Sequence, residues 1–274
     1  MTAIPGVRPR AGSRVPSSRV FGGVLLGLLA GFAVLGPWVV DADPALQDLG
    51  SSLAPIGGEY LLGADHYGRS LLARLAHGAR LSFGMAFLTM LTAAVPGVLL
   101  GLLAAWRGGW VDRLLTVLSD VVLALPGLLL VLLLVAFAPG DFGPLYLGLA
   151  LTLWVEFFRV TRATAASLLK QPHVEAAGLL GFGPAYILRT HVVPAVAPML
   201  ATLAAFAMGT AIIAISTLSA ISVGLQPPTP ELGSMIVELL PYYAEAPVHV
   251  LLPAFLIFLL VMGLQLVAKG APRP

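Results

Sequence analysis

The chain has 274 residues, of which 58% are hydrophobic and 10% charged, with a mean hydropathy of +0.96. Soluble domains carry about a quarter charged residues, and no soluble core of this length hides so much apolar surface, so the solvent is lipid. The formal charge of +2, the thinly spread basic residues, the lack of cysteine and the lack of a GxxxxGK[ST] segment exclude a nucleic-acid stripe, disulfides, thiolate metal or iron–sulfur sites, a cysteine nucleophile and a P-loop in this chain.

The N-terminus, MTAIPGVRPRAGSRVPSSRV, is basic and then turns apolar. The run from Val20 to Val40 holds 21 uncharged residues, longer than a signal h-region, and no small-x-small cleavage site follows it. It is expected to be an uncleaved first span behind a cytoplasmic tail, 1–19. GADHYGRS at 63–70 reads as an interfacial turn. LLARLAHGARL after it sets Leu72, Leu75 and Leu81 at helical spacing, with Arg74 and Arg80 on other faces. That pattern predicts an outer amphipathic helix lying on the bilayer. Further spans are expected at 81–105, 114–137, 144–163, 195–222 and 248–268, with a short tail at 269–274, giving one membrane domain over 20–268 with its core at 78–268. Pro96 and Pro126 fall inside spans two and three and are expected to kink them. Gly97, Gly101, Gly127 and Gly209 are expected to let helices approach closely. SVGLQPPTPELG reads as loop or re-entrant backbone after span five, and is either a passive loop or an outer gate.

Charge sets the orientation. With the N-terminus inside and six crossings, Arg8, Arg10, Arg14, Arg19, Arg107, Arg113, Arg159, Arg162, Lys170, Arg189, Lys269 and Arg273 fall on the inner side, which is 12 of the 15 basic residues. Only Arg69, Arg74 and Arg80 fall outside, so both termini are expected in the cytoplasm. The acids Asp41, Asp43, Asp48, Glu59, Asp65, Asp141, Glu231, Glu238 and Glu245 lean outward. Asp120 and Glu156 lie at membrane depth, where an ionisable group signals function or a buried pair. The favoured reading is structural pairing with Arg113, Arg159 or Arg162 near the inner interface, and the other is a role in a pathway. Nothing catalytic accompanies them, so no catalytic residue is assigned. His66 and His77 sit apart in a loop and form no HExxH-type cluster, and no metal site is expected.

The inner loop between spans four and five reads VEAAGLLGFGPAYILRTHVVP from Val174 to Pro194. Its alanines favour helix, FGP breaks it, and Pro184 suits the first position of a second helix, where a missing N–H costs nothing. The expectation is a compact elbow over 172–194: two short helices joined by a glycine bend, the second ending at Pro194, exposed as a docking surface.

This loop resembles the signature of the permease subunits of binding-protein-dependent ABC importers, in the dipeptide, oligopeptide and nickel group. Glu175-Ala176-Ala177, Gly181, His191, Val193 and Pro194 stand at the family spacing. GADHYGRS, GARLSF at 78–83, GGWVDR at 108–113, SDVVLALPG at 119–127, the Trp154, Arg159, Arg162 pattern and GLQPPTPELGSM at 224–235 extend the resemblance over roughly 20–260. Two places depart from it. Ser70 stands where the group usually has Asp, and the last span ends VMGLQLVAKG rather than in Gly-Asp followed by Leu-Arg-Asp.

The resemblance implies an all-α fold of six transmembrane helices, like a type I ABC importer permease, in the bacterial cytoplasmic membrane. It implies a non-enzymatic transport subunit with no cofactor of its own. The implied partners are a second homologous permease, two P-loop ATPases carrying ATP and Mg, and an external binding protein. Glu175, Ala176, Ala177, Gly181, His191 and Pro194 would then couple to an ATPase, and Gly63, Asp65, Gly68, Arg69, Pro227 and Pro228 would make outer-loop contacts. The implied cargo is a small peptide, with nickel or a metal–chelator complex next. A self-sufficient secondary transporter predicts an internal inverted repeat, and the two halves show none. An intramembrane enzyme predicts a nucleophile or metal constellation, and none is visible.

Overall fold

The computed structural model describes residues 17–40, 42–138 and 141–269. Arg8, Arg10, Arg14, Asp41, Arg273 and most of the two expected tails lie outside them. Among the described residues the only β features are two isolated bridges, Gly57 with Tyr60 and Ala64 with Ser70. The rest of the regular structure is helical. In chain order the helices are α1 (Ser17–Val39), α2 (Leu71–Arg107), α3 (Gly109–Leu123), α4 (Gly127–Val135) and α5 (Phe142–Leu169). Then follow α6 (Pro172–Leu179), α7 (Pro184–Ile187), α8 (Val193–Ala220), α9 (Leu232–Leu239) and α10 (Pro247–Lys269).

Helix α2 corrects the expected surface helix. Ser70 caps its start, its Oγ accepting from the Ala73 N–H at 3.4 Å, so the serine departure keeps the capping chemistry that Asp would supply. From there 37 residues run without a break to Gly108, which ends the helix at φ +58. No Gly-Pro or polar cluster separates LLARLAHGARL from the following span, so the amphipathic segment and span two form one rod about 55 Å long. Arg74 is buried in it rather than laid toward headgroups.

The two span prolines behave differently. Pro96 sits within α2 on an exposed face, and the helix continues past it. Pro126 ends the third-span pattern: α3 and α4 meet at 75°. Pro126 becomes the N-cap residue of α4, its carbonyl accepting from Leu129 and Leu130 N–H. The long α2–α5 contact holds α2 together around Pro96, whereas α3 lacks comparable packing.

Four helical stretches are long and apolar enough to cross a membrane: 18–39, 71–107, 184–220 and 247–269. The bent α3–α4 pair makes a fifth. Helix α5 has 28 residues, about 42 Å of rise, but carries Glu156, Arg159 and Arg162 along one stretch.

The core lies where α2 meets α5. A Cβ on Gly97 would stand 2.6 Å from the Trp154 carbonyl oxygen, and one on Gly101 2.8 Å from that of Phe158. The two backbones touch because these positions carry no side chain. Gly127 and Gly209 do not serve this way. Their nearest neighbours would be 3.6 and 3.9 Å away, at ordinary contact distance. Helix α1 packs against α10 and α2, and α9 is wedged between α8 and α10. The outer surface is apolar, with Trp38 77% and Phe137 82% exposed.

Candidate functional site: the elbow and the opposite pole of α8

The elbow is built from capping chemistry. Helix α5 ends at Leu169, and Gln171 starts α6 with Pro172 at its first position. Glu175 lies in the first turn of α6, where the helix dipole favours a carboxylate. At the far end, Gly181 N–H donates to the Gly178 carbonyl at 3.0 Å and Phe182 N–H to the Ala177 carbonyl at 3.2 Å. With Gly181 at φ +83, this is a Schellman stop, and it needs a residue that tolerates the left-handed region. Gly183 then caps α7, with Pro184 at its first position.

One expectation fails here. The second limb does not end at Pro194. It passes through one wide turn, Leu188–Val192, of the π type, straight into α8, so that 184–220 reads as one 37-residue helix. A π turn leaves backbone groups unpaired in the i to i−4 ladder, which accommodates a proline lacking its N–H two residues later. Val192 and Val196 fix that junction by packing with Ala165 of α5.

Val174, Ala177 and Ile187 close a small core under the elbow with Trp106 and Leu169. Of the residues expected to couple, Glu175, Ala176, Gly181 and Pro194 are exposed, His191 is half-buried, and Ala177 is buried in this core. The tip adds groups that the motif does not name. Leu179 is 91% exposed and Leu180 77%, and the exposed Phe182 stacks on Tyr186 at 4.5 Å. His191 meets His173 edge-on at 5.7 Å. Apolar side chains this bare at a loop tip mark an interaction surface.

Asp120, Glu156, Arg159 and Arg162, expected to form ion pairs near the inner interface or to line a pathway, do not share one site. Arg159 Nη2 donates to Asp120 Oδ1 at 2.5 Å. Arg162 grips Asp112, with Nη2 to Oδ2 at 2.6 Å and a second short bond from Nε to Oδ1. Glu156 is exposed and makes no ion pair among the described residues. The two pairs tie α3 to α5, and no local sequence signal marks Asp112, whose partner lies 50 residues away.

At the opposite pole of α8, the residues expected to contact outer partners are mostly internal. Gly63, Asp65, Gly68 and Arg69 are buried. Asp65 Oδ1 accepts from Tyr67 and Arg69 N–H, while Oδ2 accepts from Arg69 Nε at 2.5 Å and Arg74 Nη1 at 2.9 Å. Both guanidiniums reach on to Glu238 Oε2, at 2.7 and 2.9 Å. Two cations thus face two anions, and the buried cluster is neutral. A Cβ on Gly68, at φ +73, would come within 1.7 Å of the Asp48 carbonyl oxygen. These residues hold the loop together instead of facing outward. Pro227 and Pro228 are exposed and joined by a cis bond.

Asp65, His66 and Glu238 offer ligand atoms within 4.8 Å of one another, but Arg69 and Arg74 already occupy both carboxylates, which suits no cation. Burial also holds the His66 imidazole below its usual range. His77 hydrogen-bonds the Ala73 carbonyl oxygen instead, at 2.9 Å.

Next to this cluster lies Glu231, fully buried. Its Oε2 accepts from Gly233 and Ser234 N–H at 2.7 and 3.0 Å, capping α9. Its Oε1 accepts from Ser216 Oγ of α8 at 2.9 Å. Burial pushes its carboxyl up, against the pull of these hydrogen bonds.

Known proteins resemble this chain in sequence and in fold. Residues 97–269, more than half of the chain, match the family described as "Binding-protein-dependent transport system inner membrane component". A di/tripeptide transport system permease protein DppC of Pseudomonas aeruginosa is 35% identical over 91% of this chain and 84% of that protein. A dipeptide transport system permease protein DppC of Alkalihalophilus pseudofirmus is 30% identical over 87% and 78%. Among solved structures, the inward-facing MetNI methionine ABC transporter shares the fold at a TM-score of 0.54 and 17% identity, over 73% of this chain and 96% of the matched one. The enzyme and secondary-transporter alternatives fall with these matches. The chain belongs to the family of binding-protein-dependent transport system inner membrane components and is a non-catalytic, multi-pass ABC importer permease.

Proposed function

We propose that this chain forms half of the translocation pathway of an ABC importer for di- and tripeptides, in the bacterial inner membrane. It pairs with a second, homologous permease. Two P-loop ATPases, which hold the ATP and Mg, dock on the elbows, and an external binding protein delivers the cargo. The six spans are α1, α2, the α3–α4 pair, α5, α8 and α10, with both termini in the cytoplasm. The inward bias of basic residues supports that orientation. The names of similar permeases, a di/tripeptide and a dipeptide transport protein, support a peptide cargo.

The observation that carries the coupling role is the continuity of α7 with α8. A rod clamped at its inner end by an ATPase turns ATP-driven closure into rigid-body movement of a span. Glu175 and Ala176 of α6 sit beside the bare Leu179–Leu180 tip, and Glu175 supplies a charged contact.

The test is copurification. This chain is tagged, native membranes are solubilised gently, and wild type is compared with Glu175→Arg. The expected result is recovery of a second permease and P-loop ATPases with the wild type, and loss of the ATPases with the variant. A wild-type chain that emerges without any ATPase under several mild detergents refutes the reading.

A further inference from the structure

The elbow-borne helix does not end as a free rod. Its last turns present Ser216 and Ser219 on one face, and both are buried and engaged. Ser219 Oγ accepts from Leu225 N–H at 3.2 Å, and Ser216 Oγ donates to Glu231 at 2.9 Å. The backbones are in contact at the same point, since a Cβ on Gly233 would lie 2.0 Å from the Ser216 carbonyl oxygen. From Glu231 the chain enters α9, and Glu238 near its end holds Arg69 and Arg74, which hold Asp65. Every step from α8 to the 61–70 loop is therefore a covalent segment or a buried or part-buried charged or hydrogen-bonded contact.

The choice of residue at 231 is informative. Capping α9 needs only a short Ser, Asp or Asn, and a buried carboxylate is costly unless fully satisfied. Glutamate is longer than a cap requires. Its extra reach lets one oxygen cap α9 while the other takes the hydroxyl of α8. We infer that Glu231 is a positioning residue that joins α8 to α9 and the outer loop, so that displacement of the elbow is delivered to the mouth where the binding protein docks. The inference rests on the importer reading above.

The test uses the whole complex in lipid nanodiscs, with its binding protein loaded with dialanine. Basal ATPase and binding-protein-stimulated ATPase are measured for wild type, Glu231→Ala, Glu231→Gln and Ser216→Ala. In Glu231→Ala the joint is lost: basal hydrolysis persists while the stimulated-to-basal ratio falls about tenfold, the scale set by unpairing a buried polar group. In Glu231→Gln the ratio is kept, because the amide oxygen still accepts from Gly233 and Ser234 and the amide nitrogen donates to Ser216 Oγ. Ser216→Ala removes the α8 hydroxyl bonded to Glu231 at 2.9 Å, weakening the link to α8 while leaving the α9 cap whole, so it decides the matter if Glu231→Ala fails to assemble. A wild-type ratio in Ser216→Ala and Glu231→Ala overturns the inference. So does a parallel fall of basal and stimulated activity in both, which makes Glu231 cement for the fold alone. A wild-type complex without stimulation is a different failure and refutes the importer reading itself.

Discussion

Replacing Arg74 with leucine perturbs the outer cluster at its most buried point. The Arg74 side chain is 1% exposed, and its partners Asp65 and Glu238 are 2% and 14% exposed. In the wild type each shared carboxylate oxygen faces two guanidiniums. Without Arg74, Arg69 alone faces both acids, and one buried negative charge is left uncompensated. Breaking a buried pair by removing one partner costs about 3–5 kcal/mol. Spread over 274 residues at about 2.1 cal/mol/K per residue, that is a fall in Tm of about 5–9 °C. Thermal unfolding in mild detergent, followed by size exclusion, reads it directly. Arg74→Leu combined with Glu238→Leu leaves the neutral Asp65–Arg69 pair, and that double variant is expected to recover at least half of the loss, since residues in one network do not add. A single-variant shift below about 2 °C, or a double variant that loses the sum of both singles, refutes the account of a charge-balanced cluster.

Gly97→Ala and Gly209→Ala separate backbone contact from open space. The first drives a methyl into the Trp154 carbonyl and is expected to cost about 1–3 kcal/mol, while the second stays near neutral, and both are checked by the same unfolding assay. Gly181→Ala meets nothing within 4 Å but must hold φ +83, at about 1–2 kcal/mol. Its signature is faster hydrogen exchange at the Phe182 amide, which closes the Schellman stop, with Gly181→Asn falling between alanine and wild type.

The parts of the elbow that the residues announce are those governed by local chemistry. Pro172, Gly181 and Pro184 mark starts and a stop because caps depend on a few neighbouring backbone groups. Pro194 carries the same local message and misleads, because the packing of Val192 and Val196 on Ala165 outweighs a missing N–H once a π turn absorbs it. Periodicity also fails to distinguish a solvated arginine from a buried one. Arg74 reads as the polar side of a surface helix, and the acid that buries it, Glu238, is 164 residues away. The resemblance places Arg69 among outer contacts, but it identifies where a residue stands, not which way it faces. Gly97 and Gly209 look alike in sequence, and only the course of α5 beside the first makes it indispensable.

The two ends of the elbow differ mechanically, and that asymmetry is testable. On the α5 side the helix breaks at Lys170 and Gln171 before α6 begins. On the α8 side there is no break. If an ATPase docks on the elbow as proposed, force applied at the tip passes into α8 and the α5 joint serves as a pivot. Softening the stiff side without touching buried atoms is possible at Arg189 and Thr190, both exposed on the π turn. Each glycine there costs about 0.5–1 kcal/mol of helix stability, enough together to populate a bent limb. The double variant Arg189→Gly, Thr190→Gly is expected to keep the ATPases bound yet lose most peptide uptake. Gln171→Gly, at a cap position where glycine is tolerated, is expected to transport nearly as wild type. Radiolabelled peptide uptake into proteoliposomes, set against ATPase content, compares them. Equal uptake by the two variants removes the argument for α8 as the moving arm. Loss in Gln171→Gly alone reverses it and makes α5 the driven helix.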